Sequence, residues 1–329
     1  MSRQTVSKTS ASQSKKTARA KPARQVVLVT GASRGLGRLV CRKLHRKYEV
    51  LALDRRPFPD RPKDIHHIQK DLRRKATLRY LKRKKPDCIV HLGVIHNPLN
   101  EEAFHFNLEG TSKLLQLAED IGARKVVFLS SANLYGPSAR SSGFLTEEAP
   151  LLAAGSSPEV RDLISLDMMV QSFFWKQPET ETVILRPVHI VGPHLRNAPS
   201  KYLRLRRVPT ILGFDPMIQL VHEIDVVESI RLALEEGPRG VFNISGQGQA
   251  PLSRLITALN RKAFPVPGPI FEKALAQAFR YHLTTFPSAE LDHLRYSCLV
   301  DGRRAEEELK YRPRLSLKQT VDDVGPAGF

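Results

Sequence analysis

Short apolar runs alternate with amphipathic stretches along most of the chain, and this alternation predicts a sheet covered by helices. The apolar runs are too short for helices and are bounded by Gly or charged residues, which indicates buried parallel strands. The first predicted strand begins at residue 26, and the next occupy residues 50–54, 66–69, 87–93, 125–129 and 182–187. The predicted helices occupy residues 38–48, 73–83, 101–121 and 160–175. This order predicts an α/β fold with a doubly wound parallel sheet.

The first strand leads directly into a glycine-rich turn, Thr-Gly-Ala-Ser-Arg-Gly-Leu-Gly at residues 30–37. Gly31 permits a tight turn, Gly35 lets the backbone approach a pyrophosphate, and Gly37 lets the next helix pack closely on the strand. The free N–H groups at that helix start suit an anion. Asp54 ends the second strand about 20 residues later, where a carboxylate can hold a ribose hydroxyl. The pattern predicts a dinucleotide site, and the alternative is a strand, turn and helix without a ligand.

The net charge of +19 over 329 residues is unusual, and part of it lies in the first 25 residues. This segment has seven basic residues, no acidic residue and few apolar ones, so we expect a disordered basic tail over residues 1–25. Residues 70–85 are also basic, with leucines at helical spacing, which is typical of a solvated helix face. No base-reading motif or stacking aromatic accompanies the tail, so nucleic acid is not expected as a partner.

The three cysteines, Cys41, Cys88 and Cys298, are far apart and lack metal-binding spacing, so neither a metal site nor a disulfide framework is predicted. No apolar run is long enough for a membrane span, and no signal peptide opens the chain. We therefore expect a cytoplasmic protein without a membrane span.

A series of short motifs follows the predicted strands in a fixed order. They are the glycine turn, Asp54, Asp71-Leu72, His91-Leu92-Gly93, Asn107-Leu108-Glu109-Gly110-Thr111, Ser130 to Gly136, Leu185-Arg186-Pro187, His222 with Asp225, and residues 242–246. Together they resemble the extended branch of the short-chain dehydrogenase/reductase family, in particular its NAD-dependent epimerase/dehydratase group. The likeness runs from about residue 25 to residue 323. It implies a Rossmann domain over residues 26–190 and a smaller C-terminal substrate lobe over residues 191–329, from which segments return to the Rossmann domain.

The resemblance also implies which residues contact the cofactor. They are Gly31, Ser33, Arg34, Gly35, Leu36, Gly37, Asp54, Arg55, Asp71, Leu72, Leu92, Gly93, Asn107, Asp167 and Pro187. The expected cofactor is NAD, because the carboxylate of Asp54 would repel a 2′-phosphate. NADP is the alternative, since Arg34, Arg55 and Arg56 could accept that phosphate.

This chain lacks the two residues that the family uses for proton transfer. The family's enzymes use a Tyr and, four residues later, a Lys, but these positions fall at Leu163 and Asp167. Asp167 could still bind the ribose hydroxyls, or could face solvent. Ser131 matches the Ser that orients the substrate oxygen, with a capping role as the alternative. His189, like His194, lies in the segment that passes the nicotinamide, and is either a general acid/base or structural.

The predicted substrate lobe also differs from the family pattern. Where the family commonly places an Arg for a nucleotide diphosphate, this chain has Ile218 and Gln219. Cations at Lys201, Arg204, Arg206 and Arg207 either compensate or form a solvated face. Residues 264–296 are expected to cover the substrate cleft, with Phe271, Leu275 and Phe279 on one helix face.

Two functions stay open on the sequence alone. The first is an NAD-binding oxidoreductase or epimerase acting on a nucleotide-sugar-like or other hydroxyl-bearing small molecule. The second is a non-catalytic dinucleotide-binding sensor or scaffold. The resemblance further implies a homodimer through the helices at residues 101–121 and 160–175.

Overall fold

The structure is a computed structural model that describes residues 24–95, 101–139, 143–155, 158–281 and 288–326. The basic tail expected over residues 1–25 lies almost entirely outside these ranges. None of the helices in the described ranges has the length and apolar character needed to cross a membrane.

A seven-stranded parallel sheet forms the centre of the molecule. Its strands are β1 (Val26–Thr30), β2 (Glu49–Asp54), β3 (His66–Gln69), β4 (Cys88–His91), β5 (Lys125–Leu129), β6 (Glu181–Pro187) and β11 (Gly240–Ile244), in the order β3-β2-β1-β4-β5-β6-β11. The register places Val29 beside Ala52 on one side and Val90 on the other. The chain order reverses between β1 and β4, and ligands of open α/β sheets bind at such a point, beyond the carboxyl ends of the strands.

The helices either cover the two faces of this sheet or belong to a second apolar core in the C-terminal part of the chain. They are α1 (Gly35–Leu44), α2 (Lys75–Lys84), α3 (Glu101–Ile121), α4 (Pro158–Lys176), α5 (Ala198–Leu203), α6 (Glu223–Ala233), α7 (Leu252–Ala258), α8 (Gly268–Arg280), α9 (Arg303–Glu307) and α10 (Leu317–Asp322). Alternate strand residues face opposite layers. Val27 and Val29 pack with Val40 of α1 and Ile230 of α6, whereas Leu28 packs with the layer that α2, α3 and α4 provide. The predicted doubly wound α/β fold is confirmed.

Most predicted elements agree with the structure within a few residues. The strands at residues 66–69 and 125–129 and the helix at residues 101–121 have the predicted bounds. The first helix was misplaced: it begins at Gly35 and ends at Leu44, not at residues 38 and 48. It starts inside the glycine turn because Arg34 is already its extended N-cap residue. The seventh strand, β11, was recognised only as a motif.

A second apolar core lies in the C-terminal part of the chain. It includes Val191, Tyr202, Leu255, Leu291 and Val321, all buried. Three two-stranded sheets surround it: β7 (His189–Val191) with β10 (Leu220–His222), β8 (Arg207–Ile211) with β13 (Lys262–Val266), and β9 (Met217–Ile218) with β12 (Ala250–Pro251). We call this part the lobe. In contrast, α6, β11 and α9 from the same half of the chain pack on the main sheet.

Candidate functional site

A crevice of about 250 Å³ opens at the carboxyl ends of β1, β2 and β4. Seven of the residues expected to hold a cofactor line it: Gly31, Arg34, Asp54, Arg55, Leu72, Leu92 and Gly93. Further lining comes from Thr30, Leu53, Arg56, Lys70, His91, Val94, Ile95 and Phe106. The glycine turn and Asp54 meet here because parallel neighbouring strands end at the same edge of the sheet.

Close backbone packing explains two of the glycines in the turn. Gly31 has φ +67°, and a Cβ there would lie 2.8 Å from the carbonyl oxygen of Leu92 and 2.9 Å from Cα of Gly93. A Cβ on Gly37 would lie only 2.0 Å from the carbonyl oxygen of Gly31. Any larger residue at either position must therefore push backbone apart, which agrees with the tight turn and close helix packing that the sequence predicts.

The carboxylate of Asp54 is fixed by backbone donors at the edge of the crevice. The N–H of Ser33 donates to Oδ2 at 3.0 Å, and the N–H of Arg56 donates to Oδ1 at 2.9 Å. Each carboxylate oxygen can accept about two hydrogen bonds, so both keep capacity for hydroxyl donors. The hydroxyl of Ser33 donates to the carbonyl oxygen of Arg56 at 3.1 Å, so this side chain supports the turn and does not line the crevice.

Basic side chains surround the same crevice. Arg34, Arg55, Arg56 and Lys70 all line it and are exposed, against the single carboxylate of Asp54. The guanidinium of Arg55 lies over the ring of Phe106, 4.3 Å from its centroid, which holds the side chain over the crevice. The crevice is therefore electropositive, as a site for a phosphate-bearing ligand should be.

Several expected contact residues support the walls from outside. The amide of Asn107 accepts from the N–H of Ile95 at 2.8 Å and donates to its carbonyl oxygen at 2.9 Å, which fixes a lining residue. The carboxylate of Asp71 is bound by Arg73, whose guanidinium lowers the pKa of that carboxyl, and it does not line the crevice. Leu36 and Pro187 are buried and likewise do not line it.

His91 is a structural part of the crevice that the sequence analysis treated only as a motif. The hydroxyl of Thr30 accepts from the N–H groups of Leu92 (3.3 Å) and Gly93 (3.1 Å), so its proton goes to Nδ1 of His91 at 2.6 Å. Nε2 then carries the ring proton and donates to the hydroxyl of Thr111 at 3.0 Å. Burial lowers the pKa of His91 to about 4, so the ring is neutral. The signal in the sequence that could have revealed this role is the position of His91 at the end of β4.

Ser131 lies two residues beyond the end of β5 and is half-buried. Its hydroxyl oxygen accepts from the N–H of Asn133 at 3.1 Å and caps the short 3-10 helix Ala132–Tyr135. The capping role that the sequence left as an alternative is therefore present. The hydroxyl proton is not used by that cap and can still be donated.

Asp167 does not have the geometry expected of a ribose ligand. Its carboxylate has no exposed surface and forms an ion pair with Arg186, with Oδ1 to Nη2 at 2.7 Å and Oδ2 to Nε at 3.1 Å. Ser130 and Gln171 also donate to it. We call this pair the core ion pair. The expectation is corrected because the sequence does not show which side of α4 faces the sheet, and the sheet supplies Arg186 as the partner.

Neither Tyr135 nor Leu163 can act as the proton-transfer group. The hydroxyl of Tyr135 donates to Asn243 at 2.8 Å and accepts from Arg186 at 3.0 Å, and burial raises its pKa. Leu163 packs against apolar neighbours in two of the cores. Neither position that corresponds to the family's Tyr and Lys therefore offers a proton-transfer group.

His189 lines a separate cavity in the lobe, which we call the lobe cavity, together with His293, Tyr202 and Ile218. Its ring meets that of His293 edge to face, with centroids 5.3 Å apart. Burial lowers the pKa of His189 to about 4, so the pKa argument made for it from the sequence does not hold. His194 is mainly exposed and its Nδ1 contacts the buried carboxylate of Glu223.

The cations of the lobe do not meet in that cavity. Arg204 donates to the carbonyl oxygens of Gly192 (2.9 Å), Leu195 (2.9 Å) and Val324 (2.6 Å), so it serves the fold. Lys201, Arg206 and Arg207 are exposed and do not line it. Within the described ranges, no group of three or more His, Cys, Asp or Glu side chains could hold a metal ion.

Comparison with known proteins places the chain in a family. A relative in Mycobacterium tuberculosis, itself uncharacterized, is 28% identical over 313 residues, which cover 91% of this chain and 83% of the relative. In structure the chain is similar to UDP-glucose 4-epimerase of Thermotoga maritima, with a TM-score of 0.71, 19% identity and coverage of 91% and 97% of the two chains. It is equally similar to dTDP-glucose 4,6-dehydratase of Bacillus anthracis in complex with NAD, with a TM-score of 0.71, 18% identity and coverage of 91% and 95%. The model of the NAD dependent epimerase/dehydratase family matches residues 27–245, and the chain belongs to that family.

Proposed function

We propose that the chain binds NAD in the crevice, with the diphosphate at the glycine turn and the adenosine ribose on Asp54. The observation that carries this proposal is that Gly31 and Asp54 line one crevice, in which backbone N–H groups hold the carboxylate in place. A prealigned carboxylate needs no rearrangement to accept hydroxyl hydrogen bonds, which favours binding. Structures similar in fold contain NAD, which supports the choice of ligand.

The same carboxylate favours NAD over NADP. A 2′-phosphate would bring negative charge to Asp54. Arg34, Arg55 and Arg56 line the crevice and would offset part of that repulsion, so we expect a preference rather than an exclusion.

We further propose that the chain is an oxidoreductase or epimerase for a hydroxyl-bearing small molecule. Bound NAD supplies hydride transfer. Ser131 lies beyond β5 with its proton free to be donated, so it can orient a substrate oxygen as the family resemblance implies. Because Leu163 and Asp167 replace the usual pair, the hydroxyl proton must leave through another acceptor, with water as the simplest one.

A non-catalytic dinucleotide-binding protein is the second candidate. The observation that favours it is the core ion pair, which uses the carboxylate of Asp167 completely and leaves only apolar surface at Leu163. Such a protein would sense or carry the dinucleotide without turnover.

Calorimetric titration of the purified chain with NAD, NADH and NADP tests the binding proposal. We expect heat with all three and the weakest binding for NADP. Two readouts with a panel of nucleotide sugars and uncharged alcohols then separate the candidates. Nicotinamide absorbance detects net oxidation, and chromatography of the products detects epimerisation, which returns the hydride to the substrate and leaves no net NADH. Turnover that Ser131→Ala abolishes supports the enzyme, and firm binding without turnover across the panel supports the sensor. Absence of heat with all three dinucleotides would refute both.

A homodimer through α3 and α4 is part of the proposal. Met168 and Trp175 on α4 are 60% and 79% exposed, which is unusual for large apolar side chains. Sedimentation velocity should show a dimer that Trp175→Lys shifts towards the monomer.

A further inference from the structure

The small sheet of β8 and β13 on the surface of the lobe carries an exposed group of large apolar side chains. Phe264 in the middle of β13 is 52% exposed, and Leu212 and Ile270, which follow β8 and β13 in the chain, are 60% and 61% exposed. Within the described ranges β13 pairs only with β8, and four of its five residues are exposed. Single exposed apolar side chains are common, but a group of them at one place is typical of a contact surface.

The register of the two strands places cations beside these apolar groups. Arg207 and Lys262 are partners at the amino ends of β8 and β13, and both are exposed. Side chains two residues apart on a strand point to the same face, so Phe264 shares a face with both cations. The N–H of Leu212 donates to the carbonyl oxygen of Val266 at 3.0 Å, which holds Leu212 at the carboxyl end of the pair. Strands of this length span only about 16 Å.

The cations of this surface are not neutralised by the protein itself. We call the surface the lobe face, and its residues are Arg207, Leu212, Lys262, Phe264 and Ile270. In the part of the chain that the structure describes, Arg207 and Lys262 form no ion pair, whereas Arg295 of the same lobe is paired with Glu272 and Asp292. An anionic partner would therefore meet uncompensated positive charge at the lobe face.

The combination of charge and apolar surface distinguishes between three kinds of partner. A second copy that packs through the same face would set cations against cations, because a two-fold axis places each face against itself. Nucleic acid would pair with the cations, but the aliphatic side chains of Leu212 and Ile270 cannot stack on bases as aromatic rings do. An anionic lipid surface uses both features, since its headgroups attract cations and its interface buries apolar side chains.

We propose that the lobe face binds the surface of an anionic membrane. Phe264, Leu212 and Ile270 enter the boundary between headgroups and acyl chains, and Arg207 and Lys262 lie among the headgroups, which their long side chains can reach. The proposal goes beyond the dinucleotide site and does not depend on it, because none of these residues lines the crevice. The lobe, rather than the main sheet, then faces the lipid.

Cosedimentation of the full chain with lipid vesicles tests this proposal. One set of vesicles contains phosphatidylcholine alone, and the mixed set contains phosphatidylcholine and phosphatidylglycerol in equal amounts. We expect binding to the mixed vesicles, weaker binding to phosphatidylcholine alone, and weaker binding to both sets of charges in high salt, because salt screens exposed charges. Ile270→Ser and Phe264→Ser should each weaken binding to the mixed vesicles roughly fivefold, because less apolar surface is buried. Arg207→Gln combined with Lys262→Gln should weaken it roughly tenfold.

Matched controls remove the same kinds of group from other surfaces. Leu152→Ser removes an apolar side chain that is 66% exposed, and Lys75→Gln combined with Arg79→Gln removes two exposed cations from α2. Each control should weaken vesicle binding clearly less than the lobe-face variant that it matches. The seven basic residues in the first 25 stay in every variant, so differences between variants do not come from them. Thermal unfolding of each variant shows that it is folded.

Several results would overturn the proposal. Lobe-face variants that bind the mixed vesicles as tightly as the unchanged chain would assign the binding to another basic segment. Equal losses in the lobe-face variants and their controls would show an effect of net charge alone. Absence of vesicle binding would refute the proposal outright. Binding of polyuridylate, or self-association in sedimentation velocity, that the lobe-face variants weaken in its place would then identify nucleic acid or a second copy as the partner.

Discussion

The crevice and the lobe cavity differ most clearly in charge. Four cations and one carboxylate line the crevice, whereas uncharged side chains line the cavity. The crevice is built by strand ends of one sheet, and the cavity by small sheets and short helices outside it. The comparison teaches that the charge of the crevice does not determine the charge of the cavity, because different segments of the chain supply the two linings. A family match that fits the cofactor side therefore leaves the substrate side open.

The core ion pair belongs to neither the crevice lining nor the cavity lining, and breaking it should have the largest effect. Asp167→Ala leaves the guanidinium of Arg186 buried without its anionic partner, which should lower the free energy of unfolding by about 3–5 kcal/mol. Urea unfolding measures this. Arg303→Ala removes an ion pair in which Arg303 is 80% exposed and should change the unfolding free energy by less than about 1 kcal/mol. If folded Asp167→Ala protein instead loses NAD binding at unchanged stability, Asp167 belongs to the crevice.

Gly37→Ala should disturb the crevice through its backbone. The added Cβ would lie 2.0 Å from the carbonyl oxygen of Gly31, so we expect a loss of about 1–3 kcal/mol in stability together with weaker NAD binding. Gly110→Ala is the control, since Gly110 also lies in a helix and a Cβ there would meet only a Leu72 methyl, at 3.9 Å. It should be neutral or stabilising by up to about 1 kcal/mol. Equal effects of the two substitutions would contradict the packing argument.

Asp54→Ala should change the crevice alone, because Asp54 lines the crevice and not the lobe cavity. Losing hydrogen bonds to a charged acceptor costs about 1.5–3 kcal/mol, so NAD binding should weaken roughly tenfold to a hundredfold. NADP binding should weaken less, because the repulsion is removed as well. Asp60→Ala removes a carboxylate that pairs with Arg42 on the surface and controls for net charge. Calorimetry measures the binding of NAD and of NADP to each of the two variants.

Acid should weaken the fold through the neutral histidines of the cavity. The pKa of His293 is about 3 in the folded chain against an ordinary 6.5, so the unfolded chain takes up a proton first as the pH falls. Stability is thus full above pH 6.5 and falls below it by up to about 1.4 kcal/mol per pH unit for each such histidine. His293→Leu should reduce that slope by one proton. An unchanged slope in His293→Leu would contradict the burial of a neutral ring.

Residues close in sequence, or placed at strand ends, were predicted well. Gly31, Asp54, Leu72 and Gly93 line one crevice because each ends or follows a predicted strand, and strand ends converge in a parallel sheet. Roles that depend on which way a helix turns were not predicted. Asp167 was expected at a ribose, and it pairs with Arg186 because α4 presents that face to β6.

The sequence by itself determined the first six strands of the main sheet, most of the helices between them and the cofactor end of the molecule, because apolar periodicity and glycine geometry are local properties of the chain. Only the tertiary structure decided that His91 holds the crevice wall, that Arg204 serves backbone carbonyls, and that an uncharged cavity stands in the lobe. These outcomes depend on contacts between segments far apart in the chain. Burial then sets the charge of each group, as the lowered pKa of His189 illustrates.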